Sequence, residues 1–362
     1  MKALTIGGAM IDTIAIIDSK RIERMAMSNA DSSFLLLEEG HKTEAQDVST
    51  HCGGGAVNAA VSMSRLGLDV SALVKVGRDQ RAETLMARLM EEGVSPRWVV
   101  RDHRAPTGAS VLVSSHDRNA AVFTFRGANT LLEPDDLPDD AFSVDAVYIS
   151  GLSNNSAKCF PLILEKARAH GALVAANPGL RQLSAHGNAF QDCLGMIDIL
   201  ALNRVEADAL VPKLVTRVGE GGAELETAPG QVLPSLALKG LSSGGFDMTL
   251  LGFLKGVASF GPRYVVLTDG SRGAFVGTQD TLYYCPAATG QVMGTAGAGD
   301  AFTSTFAAFI ALGEAPDQAL RAATLNAGSV VGYVDTQTGL LTADALRAVL
   351  ATDVLPVQRW SL

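Results

Sequence analysis

Short, nearly continuous apolar runs recur along this chain and alternate with helix-like stretches, and this alternation limits the possible fold more than any other feature. Residues 3–6, 71–76, 146–150, 173–176, 197–202 and 264–267 read as strands buried on both faces. Residues 56–66, 81–92, 156–170 and 204–210 separate most of them and read as helices. A strand without a polar face needs cover on both sides. The pattern therefore predicts an α/β, doubly wound fold, with a mainly parallel central sheet and helices on both faces. In such sheets functional residues gather beyond the carboxyl ends of the strands. Gly7-Gly8, Asn177-Pro178, Asn203 and Thr268 all fall there.

A second kind of segment appears early. Residues 14–18, 35–38, 41–48, 108–114 and 120–125 read as strands, and His116-Asp117-Arg118-Asn119 reads as the hairpin turn between the last two. Residues 25–33 read as an inserted polar loop. Residues 214–261 contain Gly219-Glu220-Gly221-Gly222 and Ser242-Ser243-Gly244-Gly245 and show no strong period.

The length of 362 residues, 47% hydrophobic, suits one large α/β domain, residues 1–362, with an appendage. The net charge of −9, without any basic run interleaved with aromatics, argues against nucleic-acid binding. Such a balance repels phosphates at long range, so a phosphate site must be built locally from backbone donors and a metal. The widely spaced Cys52, Cys159, Cys193 and Cys285 form no C-x-x-C pair and read as reduced thiols. With no leader evident and no apolar run of membrane-spanning length, the sequence predicts a soluble, cytoplasmic protein.

The chemistry concentrates in Gly294-Thr295-Ala296-Gly297-Ala298-Gly299-Asp300-Ala301-Phe302, followed by a helix-like run to 312. Small residues let backbone N–H groups approach an anion, and a helix N-terminus adds unpaired donors and positive charge. A carboxylate beside such a cradle suits phosphoryl transfer to a hydroxyl. The run lacks the Lys-Ser/Thr ending of a P-loop and the glycine spacing of a dinucleotide fold. The plainer alternative is a Gly-rich turn with Asp300 as an N-cap.

This run resembles the C-terminal signature of the ribokinase-like (PfkB) family of carbohydrate kinases. Gly53-Gly54-Gly55-Ala56-Val57-Asn58 with Arg65-Leu66-Gly67 is similar to the family's first signature, and Gly7-Gly8-Ala9-Met10-Ile11-Asp12 to its opening strand. Gly77-Arg78-Asp79, Gly127-Ala128-Asn129, Asn203-Arg204-Val205-Glu206 and Thr268-Asp269-Gly270-Ser271-Arg272-Gly273 follow in the family's order.

The resemblance implies an ATP-dependent kinase acting on a hydroxymethyl group of a sugar or sugar-like alcohol. Asp300 would be the general base, with Gly297, Ala298 and Gly299 as the anion hole. Asp12, Gly53, Gly54 and Asn58 would bind the acceptor, the plainer alternative for Asp12 being a helix cap or turn residue. Asn203, Thr268, Gly270, Gly273 and Asn326 would bind ATP. Glu206 would place Mg2+ through water, or else serve as a first-turn helix acid. Arg126 could face the substrate or be a solvated edge residue.

The early strands would form a small β-lid drawn from about 13–50 and 106–127, through which a homodimer could form. An insertion at about 212–261 would be a flap, an oligomer contact or a surface loop without function. Gly294 stands where many members carry an aspartate tied to a monovalent-cation site, which puts potassium activation in doubt. Gly55 replaces a lysine frequent in ribokinases, which argues against assuming ribose. The competing readings are a nucleoside kinase, with Phe123, Phe125 or Trp98 stacking on the base, and a catalytically silent sugar- or nucleotide-binding regulator.

Overall fold

The six apolar runs all become strands of one sheet. The computed structural model describes residues 1–18, 23–26, 33–36, 40, 42–115, 120–226, 232–352 and 355–362. In chain order the elements are β1 (Lys2–Gly7), β2 (Met10–Ile17), β3 (Glu23–Ala26), β4 (Ser33–Leu36), β5 (Ala45–Gly53), α1 (Gly55–Arg65), β6 (Asp69–Val76), α2 (Gln80–Glu91), β7 (Val100–Arg101), β8 (Gly108–Ser115), β9 (Ala120–Phe125), β10 (Ala146–Ser150), α3 (Phe160–Ala169), β11 (Leu173–Asn177), α4 (Leu180–Asp192) and β12 (Ile199–Asn203). They continue as α5 (Arg204–Val218), α6 (Ser235–Lys239), β13 (Leu241–Ser243), β14 (Phe246–Met248), α7 (Leu250–Ala258), β15 (Tyr264–Thr268), β16 (Ala274–Gly277), β17 (Thr281–Cys285), α8 (Ala298–Ala311), α9 (Pro316–Val330), α10 (Ala343–Thr352) and β18 (Gln358–Ser361).

The central sheet runs β18-β17-β16-β15-β12-β11-β10-β1-β6-β7. From β7 to β15 all neighbours are parallel, and β16, β17 and β18 add antiparallel strands at one edge. Alternation along each strand splits the apolar side chains between two cores. Leu4, Ile6, Val147 and Ile149 pack with α3, α5 and α7, while Ala3, Tyr148, Ala175 and Ala201 pack with α1, α8 and α9. Register then brings Gly7, Ser150, Asn177, Asn203 and Thr268 to one edge, the carboxyl end of the parallel strands. No described helix is long and apolar enough to cross a membrane.

A separate sheet, β5-β2-β8-β9, stands over that edge. Asp12 pairs with Ser110, and Ser110 with Thr124, so these three project from one face. Thr13, Val111 and Phe123 share the other face, where Phe123 is 61% exposed. Two of the sequence motifs tie this sheet down. Asn129 accepts from Ala9 N and donates to Ala9 O, both at 2.9 Å. Asp79 caps α2 through Ala82 N and also accepts from Thr107 N and Oγ1.

The structure departs from the sequence reading in several places. The expected strand at 35–38 is β4, which pairs only with β3 in a hairpin of its own. Parts of the expected polar loop at 25–33 therefore lie in strands, while 27–32 and the turn at His116–Asn119 lie outside the described residues. Helix α5 does not stop at 210 but continues through Pro212 to Val218, because burial of Leu210, Val211 and Leu214 outweighs the lost backbone donor. The stretch 214–261 holds more order than its sequence suggests. Gly244 and Gly245, at φ of 61° and 85°, form the tight turn of the β13–β14 hairpin, and α7 follows with Thr249 as its cap.

Candidate active site

Helix α8 begins on Gly297, whose φ of 78° is left-handed. A side chain there would also strike Thr336, since a Cβ would lie 2.6 Å from the Thr336 Cβ. The N-cap is thus Gly297, not Asp300, and Asp300 occupies the third position of the first turn. No acceptor among the described residues takes the N–H groups of Gly297, Ala298 or Gly299, and open space lies over Gly299. The start of α8 is a set of unpaired donors beside a carboxylate.

Asp300 is held from across the fold. Asn58, on the first turn of α1, donates from Nδ2 to Asp300 Oδ2 at 2.8 Å. The Asn58 oxygen accepts from Thr336 Oγ1 at 2.9 Å and Gln337 Nε2 at 3.2 Å. Asn58 is therefore buried and nearly saturated. Its bond to Asp300 fixes that carboxylate and takes one of its two side-chain N–H groups. Gln337 is fixed in turn, its main-chain oxygen accepting from Arg65 Nη1 and its side-chain oxygen from Arg88 Nε. A Cβ on Gly55 would lie 3.2 Å from Asp300 Oδ1 and 2.7 Å from Ser150 Cβ, so Gly55, Ser150 and Asp300 meet at one point. Asp300 keeps a face toward the cleft, yet dense surroundings raise its carboxyl above the ordinary range. The Asn58 hydrogen bond works against that rise and the charge of Asp12 adds to it.

Asp12 enters from the small sheet. Ser110 Oγ donates to its Oδ1, and a Cβ on Gly53 would overlap its Oδ2. Gly54, at φ 95°, lets the chain pass so close to the β1–β2 turn that a Cβ would lie 2.5 Å from Gly8 O. Burial raises the Asp12 carboxyl, with Ser110 and then His51 opposing. Asp12 and Asp300 thus approach one space from opposite sides.

Asn203 and Glu206 open α5 as a capping box, each backbone N–H donating to the other's side chain at 2.9 Å. Burial, with a smaller contribution from the Asp300 charge, lifts the Glu206 carboxyl to about 7. Tyr148 is buried nearby, its hydroxyl close to Thr303, and its pKa is pushed far up, first by burial and then by the charges of Asp300 and Glu206. Neither carboxylate has a basic partner among the described residues. Among the described residues, no group of three or more His, Cys, Asp or Glu converges. Two carboxylates suit a dication that keeps most of its waters, as magnesium does.

Thr268 is the register partner of Asn203, and Gly270 lies exposed just beyond it. Gly273 is different. It is a buried turn glycine at φ 98°, bonded to Asp269 and Gly270 and packed on Cys285 O, so it shapes the loop instead of facing open space. Asn326 is fully buried, donating to Thr305 Oγ1 and accepting from Leu341 N, and does not open onto the cleft. The aromatics considered for base stacking lie elsewhere. Phe123 and Phe125 leave the face opposite Asp12, and Trp98 packs on the core. Sequence reasoning missed Ser110, Ser150, Thr336 and Gln337. The polar run Asp335-Thr336-Gln337-Thr338 between apolar helices was the available signal.

Comparison with known proteins agrees with this fold. A deoxyribokinase from Salmonella typhi is 24% identical over 327 residues, covering 90% of this chain and 94% of that protein. A ribokinase from Arabidopsis thaliana, solved with ribose and ATP, superposes with a TM-score of 0.70 at 18% identity, covering 96% and 98% of the two chains. An E. coli structure described as a ribokinase II in complex with ATP and Mg2+ gives 0.73 at 15% identity, covering 97% and 99%. The family model of the pfkB family carbohydrate kinases matches residues 12–228 and 249–343, which include the start of α1, the start of α5 and the whole of α8. The chain belongs to the pfkB family of carbohydrate kinases.

Proposed function

We propose that this sugar kinase transfers the γ-phosphoryl group of ATP to a hydroxymethyl group of a sugar or sugar-like alcohol. The observation that carries the reading is the Asp300 carboxylate, fixed at 2.8 Å by Asn58, beside unpaired helix donors and opposite Asp12. The acceptor hydroxyl gives its proton to Asp300. Its oxygen bonds to the γ-phosphorus as the bond to the β-phosphate oxygen breaks, leaving ADP and a protonated Asp300. The N–H groups of Gly297, Ala298 and Gly299 stabilise the charge on the transferring group.

Asp12 accepts from the acceptor's other hydroxyls, with the backbone at Gly53 and Gly54 close by. ATP lies along Asn203, Thr268 and Gly270. Magnesium, held by Glu206 through water, would neutralise phosphate charge. The relatives solved with ATP, and with ATP and Mg2+, support this arrangement. Gly294 brings no carboxylate to the Tyr333 and Val334 carbonyl oxygens beside it, which weighs against a monovalent-cation requirement. The four-stranded sheet acts as a lid that excludes water. Its outer face, with Val111, Phe123 and Phe125 exposed, is where a second copy would pair.

A coupled ADP-release assay across sugars and nucleosides tests the reading. Turnover with sugars supports it. Turnover confined to nucleosides replaces it with a nucleoside kinase. Ligand-induced stabilisation without any turnover points to a silent binder.

A further inference from the structure

Two arginines at the acceptor end of the cleft have no counter-charge among the described residues. Arg126 directly follows β9 and opens the short 3-10 turn Gly127–Thr130. It stands two residues beyond Thr124, which shares a face with Asp12 and Ser110. Its Nη1 donates to Ser153 Oγ at 2.8 Å. Ser153 lies just past β10, whose last residue, Ser150, adjoins Gly55 and Asp300. Asn129, three residues on, anchors this turn to Ala9. Arg126 is thereby fixed, half-buried, beside the space that Asp12 and Asp300 enter.

Arg181 stands in the first turn of α4, two residues beyond its cap Gly179. The loops carrying Ser153 and Arg181 touch, since a Cβ on Gly151 would lie 2.9 Å from Gly179 N. Burial and then the charge of Arg181 hold the Arg126 guanidinium below the usual arginine range. Neither arginine pairs with a carboxylate among the described residues. Arg65, Arg104 and Arg168 each do. Two like charges brought together, one partly desolvated, disfavour the folded state unless an anion joins them. In a chain of net charge −9 such a pair stands out.

We propose that Arg126 and Arg181 form a subsite for an anionic group of the acceptor, so that the substrate is a sugar acid or sugar phosphate and not a neutral sugar. This rests on the kinase reading above. Guanidinium forks match carboxylate and phosphate oxygens alike. With its anionic end on the arginines and hydroxyls on Asp12, the acceptor presents its remaining hydroxymethyl group to Asp300.

The test uses matched pairs, D-gluconate against D-glucose and D-fructose 6-phosphate against D-fructose, read by ADP release and by thermal shift. The anionic member of at least one pair is expected to have the lower KM and the larger shift, and which pair responds distinguishes carboxylate from phosphate. Arg126→Gln removes the charge but keeps a polar side chain at the position. It should raise the KM for the anionic member about tenfold or more, the effect of losing a charge-assisted hydrogen bond, and far more than the KM for ATP or the neutral sugar. Arg181→Gln, at an exposed position, should act in the same direction without disturbing the fold.

Turnover of the neutral members in preference, indifferent to both variants, overturns the subsite and leaves the kinase intact. Variants that raise mainly the KM for ATP also overturn it, by moving the arginines to the nucleotide. If no compound turns over, a thermal shift by an anionic member that both variants abolish still supports the subsite, and no shift by either anion overturns it. Absence of turnover that Asp300→Asn leaves unchanged counts against the kinase reading separately.

Discussion

Asn58 Nδ2 and Asp300 Oδ2 lie 2.8 Å apart although 242 residues separate them in the chain. The bond sets where the carboxylate points and lowers its proton affinity. Asn58→Leu keeps the volume but removes the donor and leaves Thr336 and Gln337 without their acceptor. Stability should fall by about 2–3 kcal/mol, the cost of stranding buried polar groups. Without the bond the Asp300 carboxyl rises further, so the acid limb of the kcat profile should move to higher pH. Stopped-time assays from pH 5 to 9 and urea denaturation check both effects.

Glu206 gives a pH prediction with a definite sign. Its folded pKa of about 7 stands above the ordinary 4.5. A raised carboxyl favours the folded state below the unfolded pKa, and that stability is lost as pH rises through the folded value. Above pH 7 the ionised group is therefore a burden. Glu206→Gln can retain the bond from Asn203 N, so it should stabilise the nucleotide-free protein at pH 8 by roughly 2–3 kcal/mol, with the gain vanishing near pH 5. The same variant should lose activity and need more magnesium. Melting temperatures at the two pH values decide the point.

Gly53 has no room for a side chain beside Asp12. Gly53→Ala should displace that carboxylate, raise the acceptor KM about tenfold or more and cost roughly 1–3 kcal/mol of stability through overpacking. The KM for ATP should change little, since the clash lies on the acceptor side. Initial-rate measurements with each substrate varied in turn separate the two.

Away from the site, Lys75 is 4% exposed and bonds Asp136 at 2.7 Å and Asp102 at 3.1 Å. Arg104 and then Lys75 hold Asp102 well below the usual carboxylate range. Lys75→Met removes the cation from Asp136 and leaves Asp102 to Arg104 alone, and should cost about 3–5 kcal/mol. Arg104→Met, at a position 42% exposed, should cost less, because water screens what is lost. Denaturant midpoints of the two variants give the comparison.

The fold was legible because its signals are local. Each parallel strand is a short apolar run, and each is buried on both faces wherever it falls. The start of α8 was legible for the same reason, since small residues and an acid stand within nine positions directly before a helix-like run. Contacts across the chain were not. Thr336 and Gln337 reach Asn58 over separations of 278 and 279 residues, and no local pattern announces such a partner. The bonds that occupy the Asn58 oxygen and one of its N–H groups were therefore invisible in the sequence. Helix α5 was cut short because Pro212 is a strong local stop signal, and packing of Leu210 and Leu214 overrides it. The small-sheet strands were found, but β4 was assigned to the wrong sheet because its hairpin partner β3 carries no clear apolar alternation.

The most direct measurement is single-turnover phosphoryl transfer by the wild type and by Asp300→Asn, with the best acceptor and saturating ATP and magnesium. Asn is close in size, so the Asn58 contact and the fold should persist while the proton acceptor is lost. A rate lower by roughly 10²–10⁴-fold is expected for the variant, with the KM for ATP nearly unchanged. Equal rates for the two proteins would contradict Asp300 as the general base.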